Sequence, residues 1–255
     1  MIRQSRPPAR RPAGPLFEPL VPQPAYGRVA AAIEEKILQR KLRLGDRLPS
    51  ESELARQFGV NRSTVREAVR RLESAGLVGR TPGSKRLCVT RPGPADTASR
   101  MSRALVLDEV TFIELWEAML AIAPRTAALA AAHASAGDHA RLETCIRDVE
   151  LARGADAAVG GVVEFFVTLA TASSNRVLVL AMRPVTLLLA PSLRRMIDRV
   201  PQGRSRILVA QRCILEALRE SSAADAESWM TRHVQDFRRG YEIAGIALDT
   251  RAADA

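Results

Sequence analysis

Glycine punctuates residues 45–76 in a way that leaves few folds open. Gly45, Gly59 and Gly76 close three runs of apolar residues at helical spacing. The first contains Val29, Ile33, Ile37 and Leu38, the second Leu54, Ala55 and Phe58, and the third Val65, Ala68, Val69 and Leu72. Glycine ends a helix well because it enters the left-handed conformation without a Cβ penalty. Ser50 with Glu53 predicts a capping box at the start of the second helix, and Asn61 is the expected N-cap of the third. Two β candidates follow at 77–80 and 87–90, with Pro82, Gly83 and Ser84 as the turn between them. Three helices, a tight turn around Gly59-Val60 and a hairpin describe a winged helix-turn-helix over residues 25–91.

Charge supports that reading. Residues 1–100 hold 20 Lys and Arg against 9 Asp and Glu, a net +11, whereas residues 101–255 hold 18 against 19, a net −1. One segment therefore carries the whole excess, as expected if one domain meets a polyanion and the other does not. Residues 1–24 contain seven prolines and four arginines, and such a tail is expected to be disordered. Arg91-Pro92-Gly93-Pro94 opens a linker, placed at 92–104. Beyond it the pattern is helical, with segments predicted at 99–107, 110–134, 137–154, 157–173, 176–198, 203–221 and 223–247. The fold class expected is mainly α, a winged helix-turn-helix followed by an all-α bundle over 105–247.

The third helix opens with Asn61-Arg62-Ser63-Thr64-Val65-Arg66. A helix N-terminus offers free N–H groups and a positive dipole end, both suited to phosphate. Arg62 and Arg66 lie four apart, so they share a face, and either can pair in bidentate fashion with guanine O6 and N7. Ser63, Thr64 and Ser50 suit phosphate oxygens, which fix register. Lys85 and Arg86, near the hairpin tip, are expected on the DNA backbone or minor groove. Arg70 and Arg71 lie further along and read as surface or backbone contacts. The plain alternative for all these arginines is a solvated charged face.

At these residues the sequence resembles the DNA-binding domain of the GntR family of bacterial repressors over residues 27–90. The resemblance rests on the string from Gly45 through Asp46-Arg47-Leu48-Pro49-Ser50-Glu51-Ser52-Glu53-Leu54-Ala55. It continues through Phe58-Gly59-Val60-Asn61-Arg62-Ser63-Thr64-Val65-Arg66-Glu67-Ala68, then Leu72-Glu73 and Gly76-Leu77-Val78. It implies that Arg62 and Arg66 read bases or phosphates. Some members have arginine where this chain has Ser52, so one contact from the second helix is expected to be missing.

The helical remainder resembles the FadR subfamily, on Glu164–Asn175 and on residues 214–233. Many members hold a divalent metal there with one Asp and three His. On this chain those positions fall on Val162, Phe166, Gln211 and His233, and only the last keeps an imidazole. The arginine and glutamate that often flank a carboxylate effector fall on Met119 and Ala123. The resemblance therefore implies no metal, no cofactor, and a largely apolar small-molecule effector near Met119, Val162, Phe166, Asn175, Gln211 and His233. The competing possibility is a cavity filled by side chains, leaving a domain that only dimerises.

Other classes fit less well. The three histidines, His133, His139 and His233, are scattered, and no phosphate-binding glycine loop, metalloprotease helix or nucleophile elbow is present, so no enzyme is expected. An architectural DNA-binding protein would not need the long helical remainder. Cys88, Cys145 and Cys213 form no disulfide framework, which favours a reducing cytoplasm. The apolar stretch 177–193 is interrupted by Arg183, Pro184 and Pro191, and it is expected to be a buried helix too short and broken to span a bilayer. The expected partners are inverted-repeat operator DNA, a small effector and a second copy of the chain, with no membrane.

Overall fold

The computed structural model describes residues 24–80, 86–252 and 254. It divides between Pro92 and Gly93 into two compact units. The Pro/Arg-rich tail predicted at 1–24 falls almost wholly outside the described residues, as do the hairpin turn and Lys85.

In the N-terminal unit, α1 (Ala25–Leu38), α2 (Glu51–Phe58) and α3 (Arg62–Ala75) precede the strands β1 (Val78–Arg80) and β2 (Leu87–Val89). The strands pair antiparallel, Val78 opposite Val89. Val29, Ala30 and Ile33 of α1 pack with Leu54 and Ala55 of α2 and with Val65, Ala68, Val69 and Leu72 of α3. Val78, Leu87 and Val89 close this core from the hairpin. Gly76 is required where it stands. Its φ is +76°, and a Cβ there would meet Pro92 Cα at 3.0 Å. Gly59 likewise turns left-handed at φ +63° between α2 and α3.

Several local expectations are corrected. The first helix ends at Leu38 and not at Gly45, because Arg40 takes the left-handed turn at φ +59°. The capping box at α2 is half made. Ser50 Oγ accepts from the Glu53 N–H at 3.2 Å, but the Glu53 carboxylate turns outward to Arg56 and Gln57. Asn61 occupies the N-cap position of α3 without a side-chain capping bond. Residues 45–48 join the hairpin edge through an isolated bridge at Arg47: Gly45 donates to Val89 O, Val89 to Asp46 O and Leu48 to Leu87 O, each at 2.9 Å.

The second unit is a bundle of α4 (Pro94–Leu107), α5 (Phe112–His133), α6 (Ala136–Leu151), α7 (Ala155–Ala172), α8 (Arg176–Arg199), α9 (Gly203–Arg219) and α10 (Ala223–Ile243). The predicted linker at 92–104 is therefore mostly helix. Pro94 starts α4, a position where its missing N–H costs nothing. The bundle also runs past 247. Phe112 N donates to Thr250 O, Ile113 N to Leu248 O and Ala252 N to Val110 O, so the chain's end straps the start of α5. Arg251 pairs with Glu109 at 2.9 Å beside that strap, and Ala252 is buried.

The helices α7 and α8 are both long and apolar enough to cross a membrane by length and composition. The expectation that 177–193 is too short and broken fails on length, since α8 runs unbroken through Pro184 and Pro191 for 24 residues. One face of it is buried, with Met182, Val185, Leu188, Leu189 and Leu193 in the bundle core beside α7's Val162, Phe165, Phe166 and Leu169, whereas Val177, Leu180 and Leu187 are exposed.

Candidate DNA-contact surface and effector cavity

Arg62, Ser63 and Arg66 are exposed at the start of α3, with Thr64 half-buried beside them. The opposite face of the helix, Val65, Ala68, Val69 and Leu72, is locked into the core, which fixes the direction in which the arginines project. Arg62 forms no ion pair among the described residues. Arg66 is held differently: its Nε lies 3.5 Å from Glu51 Oε2 in the first turn of α2. The other oxygen of Glu51 lies 3.9 Å from Arg80 Nη2, and Arg80 Nε lies 3.4 Å from Glu73. Arg70 pairs with Glu67 along its own helix.

Ser50 is exposed, and its hydroxyl hydrogen stays available while the oxygen caps α2. Arg86 is exposed at the foot of β2. Arg47, Ser50, Glu51, Arg80 and Arg86 line one cleft between the α2 N-terminus and the hairpin. Sequence reasoning missed Arg47 and Arg80. A backbone bridge brings Arg47 opposite Cys88, and no side-chain pattern announces it.

In the bundle, Met119 of α5 and Val162 and Phe166 of α7 are each 1% exposed and lie on one cavity. Phe112, Trp116, Leu189, Leu193, Phe237 and Tyr241 complete most of its wall, which is almost wholly apolar. The walls close in until the free space admits little more than a water molecule. Phe112 stacks on Tyr241 with ring centroids 3.7 Å apart. The Trp116 indole N–H donates to Val234 O at 2.8 Å, pinning α5 to α10.

His233 is 1% exposed, and its ring stacks parallel to Phe166 with centroids 5.6 Å apart. Its Nε2 has no hydrogen-bond partner, and neither amide atom of the fully buried Gln211 has one. Burial pushes His233 down from 6.5 to about 4, with the nearby Asp236 carboxylate opposing that shift. Burial likewise raises the Tyr241 hydroxyl.

Asn175 does not join this group. Its Oδ1 accepts from the N–H groups of Val177 and Leu178 and caps α8, a use already offered by an asparagine preceding a helix.

The donor chemistry does not suit a divalent metal. Val162 and Phe166 present carbon only, Gln211 a neutral amide, and among the described residues no group of three His, Cys, Asp or Glu side chains converges. Elemental analysis of protein purified without chelator is expected to find no stoichiometric zinc, nickel or manganese. One equivalent per chain, lost with His233→Ala, would refute this.

Two family models match, "Bacterial regulatory proteins, gntR family" over residues 25–85 and "FCD domain" over 114–236. The chain is 31% identical over 216 residues to a regulatory protein assigned to the L-lactate dehydrogenase operon of Escherichia coli K12, covering 81% of each chain. Over 62 residues it is 47% identical to the histidine utilization repressor of Klebsiella aerogenes, covering 24% of this chain and 26% of that one. A solved Streptococcus agalactiae GntR structure superposes with a TM-score of 0.58 at 28% identity, covering 84% of this chain and 99% of the other.

This is a transcriptional regulator, with a helix-turn-helix unit for DNA and a helical effector domain, and not an enzyme. The chain belongs to the GntR family, in its FCD-domain branch, whose members bind operator DNA and commonly form dimers.

Proposed function

We propose that the protein is a cytoplasmic, homodimeric repressor released from an inverted-repeat operator by a largely apolar metabolite. In this reading Arg62 and Arg66 enter the major groove and read bases. Ser63, Thr64 and Ser50 hold phosphates, and Arg86 with Lys85 follows the backbone beside them. Two copies related by a twofold axis present two such helices to successive grooves, so the operator shares that symmetry. The repressor sign is supported by the name of the relative matched over the DNA-binding segment.

The observation that carries the effector reading is the lining of the bundle cavity, where Met119, Val162 and Phe166 supply apolar atoms. L-lactate, the metabolite in another relative's name, bears a hydroxyl and a carboxylate that need polar partners, and those walls offer almost none. The narrowness of the same cavity favours a second reading, a filled core that serves dimerisation alone. The test is release of a labelled operator in fluorescence anisotropy, with octanoate and benzoate set against L-lactate. Release by the apolar acids supports the effector reading. Release by L-lactate alone overturns it, and operator affinity unmoved by any of the three supports the filled core.

A further inference from the structure

Glu51 is an acid on a surface that must meet a polyanion. It opens α2, and it is the only acidic side chain among those lining the cleft where Arg47, Arg80 and Arg86 stand. A carboxylate there repels phosphate and lowers affinity for any DNA. Its contribution to the fold is small. A partly exposed ion pair adds little to stability, and the apolar core already locks α2 to α3 through Leu54, Ala55, Val65 and Leu72.

What Glu51 does hold is the side chain of Arg66. Arg66 Nε lies 3.5 Å from Glu51 Oε2, the other carboxylate oxygen lies 3.9 Å from Arg80 Nη2, and Arg80 Nε lies 3.4 Å from Glu73. Glu73 belongs to α3, as Arg66 does, so this run of alternating charges leaves α3, crosses α2 and β1, and returns to α3. Glu51 is thereby flanked by a cation on either side. Arg56 and Arg70 are held differently, each by a glutamate three residues away on its own helix. Arg66 is held from a neighbouring element.

Arginine is long and flexible, and an unheld one can swing to a neighbouring base or to a phosphate. A guanidinium approached by a carboxylate through Nε keeps its terminal Nη pair free, an edge that can grip guanine O6 and N7 together. Holding the side chain in advance removes part of the ordering cost at the right base and withholds the arginine from other contacts. Arg62, exposed at the first position of α3, has no such holder among the described residues.

We propose that Glu51 is a positioning residue for base selection. It aims Arg66 at one base pair of each half-site, with Arg80 and Glu73 behind it, and it lowers affinity for DNA at large while sharpening selectivity. The proposal rests on the reading of Arg66 as a base reader and names what aims it.

The probe is a library of DNA duplexes randomised over an operator's length, equilibrated with the full-length protein and sequenced from the bound fraction. Arg66→Ala identifies the base pair that Arg66 reads, as the one whose preference flattens, and Arg62→Ala identifies the other. Glu51→Gln, nearly equal in size, should flatten the Arg66 pair by about threefold or more, a coupling usual for side chains in contact, and leave the Arg62 pair as sharp as before. With Arg66→Ala already present, Glu51→Gln should flatten it no further. On a scrambled duplex in fluorescence anisotropy, Glu51→Gln should bind about twofold tighter, because one repelling charge is gone. Glu51→Asp keeps the charge and draws it one methylene back from Arg66, so it should flatten the pair without that gain.

A preference at the Arg66 pair as sharp in both Glu51 variants as in the starting protein would overturn the positioning role while sparing Arg66 as a reader. Affinity lost by one factor on every duplex would also overturn it, because Glu51 would then be supporting the fold. An Arg66→Ala protein with every preference intact would overturn the positioning role and the base reading of Arg66 together.

Discussion

Arg62→Ala is expected to weaken operator binding by about 1–3 kcal/mol, the usual worth of a bidentate base contact, or roughly 5- to 160-fold. Arg62 is exposed at the first position of α3 with no ion pair among the described residues, so its whole fork is free for a base edge. Arg66→Ala should cost less. Its guanidinium already lies 3.5 Å from Glu51, and DNA must draw it away from that carboxylate or share it. The two losses should differ in base preference as well, each relaxing selectivity at one base pair per half-site. Anisotropy titrations at fixed salt, against the operator and single-base variants of it, measure both effects. A loss equal on every sequence would mean that these side chains touch only phosphates. Affinity should in either case fall steeply with salt, because each neutralised phosphate releases counterions.

Lowering the pH from 7 to 5 is expected to destabilise the helical unit by about 2 kcal/mol through His233 alone. The buried ring holds its proton affinity near 4, against 6.5 for an ordinary histidine. The unfolded chain therefore takes up a proton near 6.5, and the folded chain resists until about 4. Stability from this source is complete above 6.5, declines through the interval, and levels off below 4. Carboxylates whose ionised form is hydrogen-bonded, Glu114 and Asp138 among them, act in the same direction but at lower pH, since they start from values of 4.5 and 3.8. His233→Gln should flatten the unfolding free energy between pH 6.5 and 4.5, measured by denaturant titration. His133→Gln, at an exposed position, serves as the control. An unchanged slope in the His233 variant would show that another group carries the acid response.

Much of this molecule was legible from pattern alone, because its signals are local. The glycines after α2 and α3 turn left-handed where expected, and the apolar stripe of α3 is its buried face. The features that escaped are those with no local signature. Arg40 ends α1 in a conformation usually left to glycine. Residues 45–48 pair with β2 through backbone groups alone, which no side-chain pattern encodes. Pro94 reads equally as a linker residue or as a helix start, and only packing onto α8 decides between them. Of the six residues named for the effector, Met119, Val162 and Phe166 line one cavity, Gln211 and His233 are not among its lining, and Asn175 caps its own helix.

The strap that ties residues 248–252 to the start of α5 bears on the order in which the chain is completed. Among the described residues, the backbone bonds that join the hairpin to residues 45–48 and end α3 all lie before residue 93, so they can close once that stretch has left the ribosome. The first turn of α5, and with it Phe112 on the cavity wall, gains its last bonds only after residue 252 has been made. The DNA-reading segment is therefore complete more than a hundred residues before the helical unit can make its last backbone bonds. Over that interval of synthesis, the DNA-reading segment is already whole while the helical unit still lacks the bonds that close it.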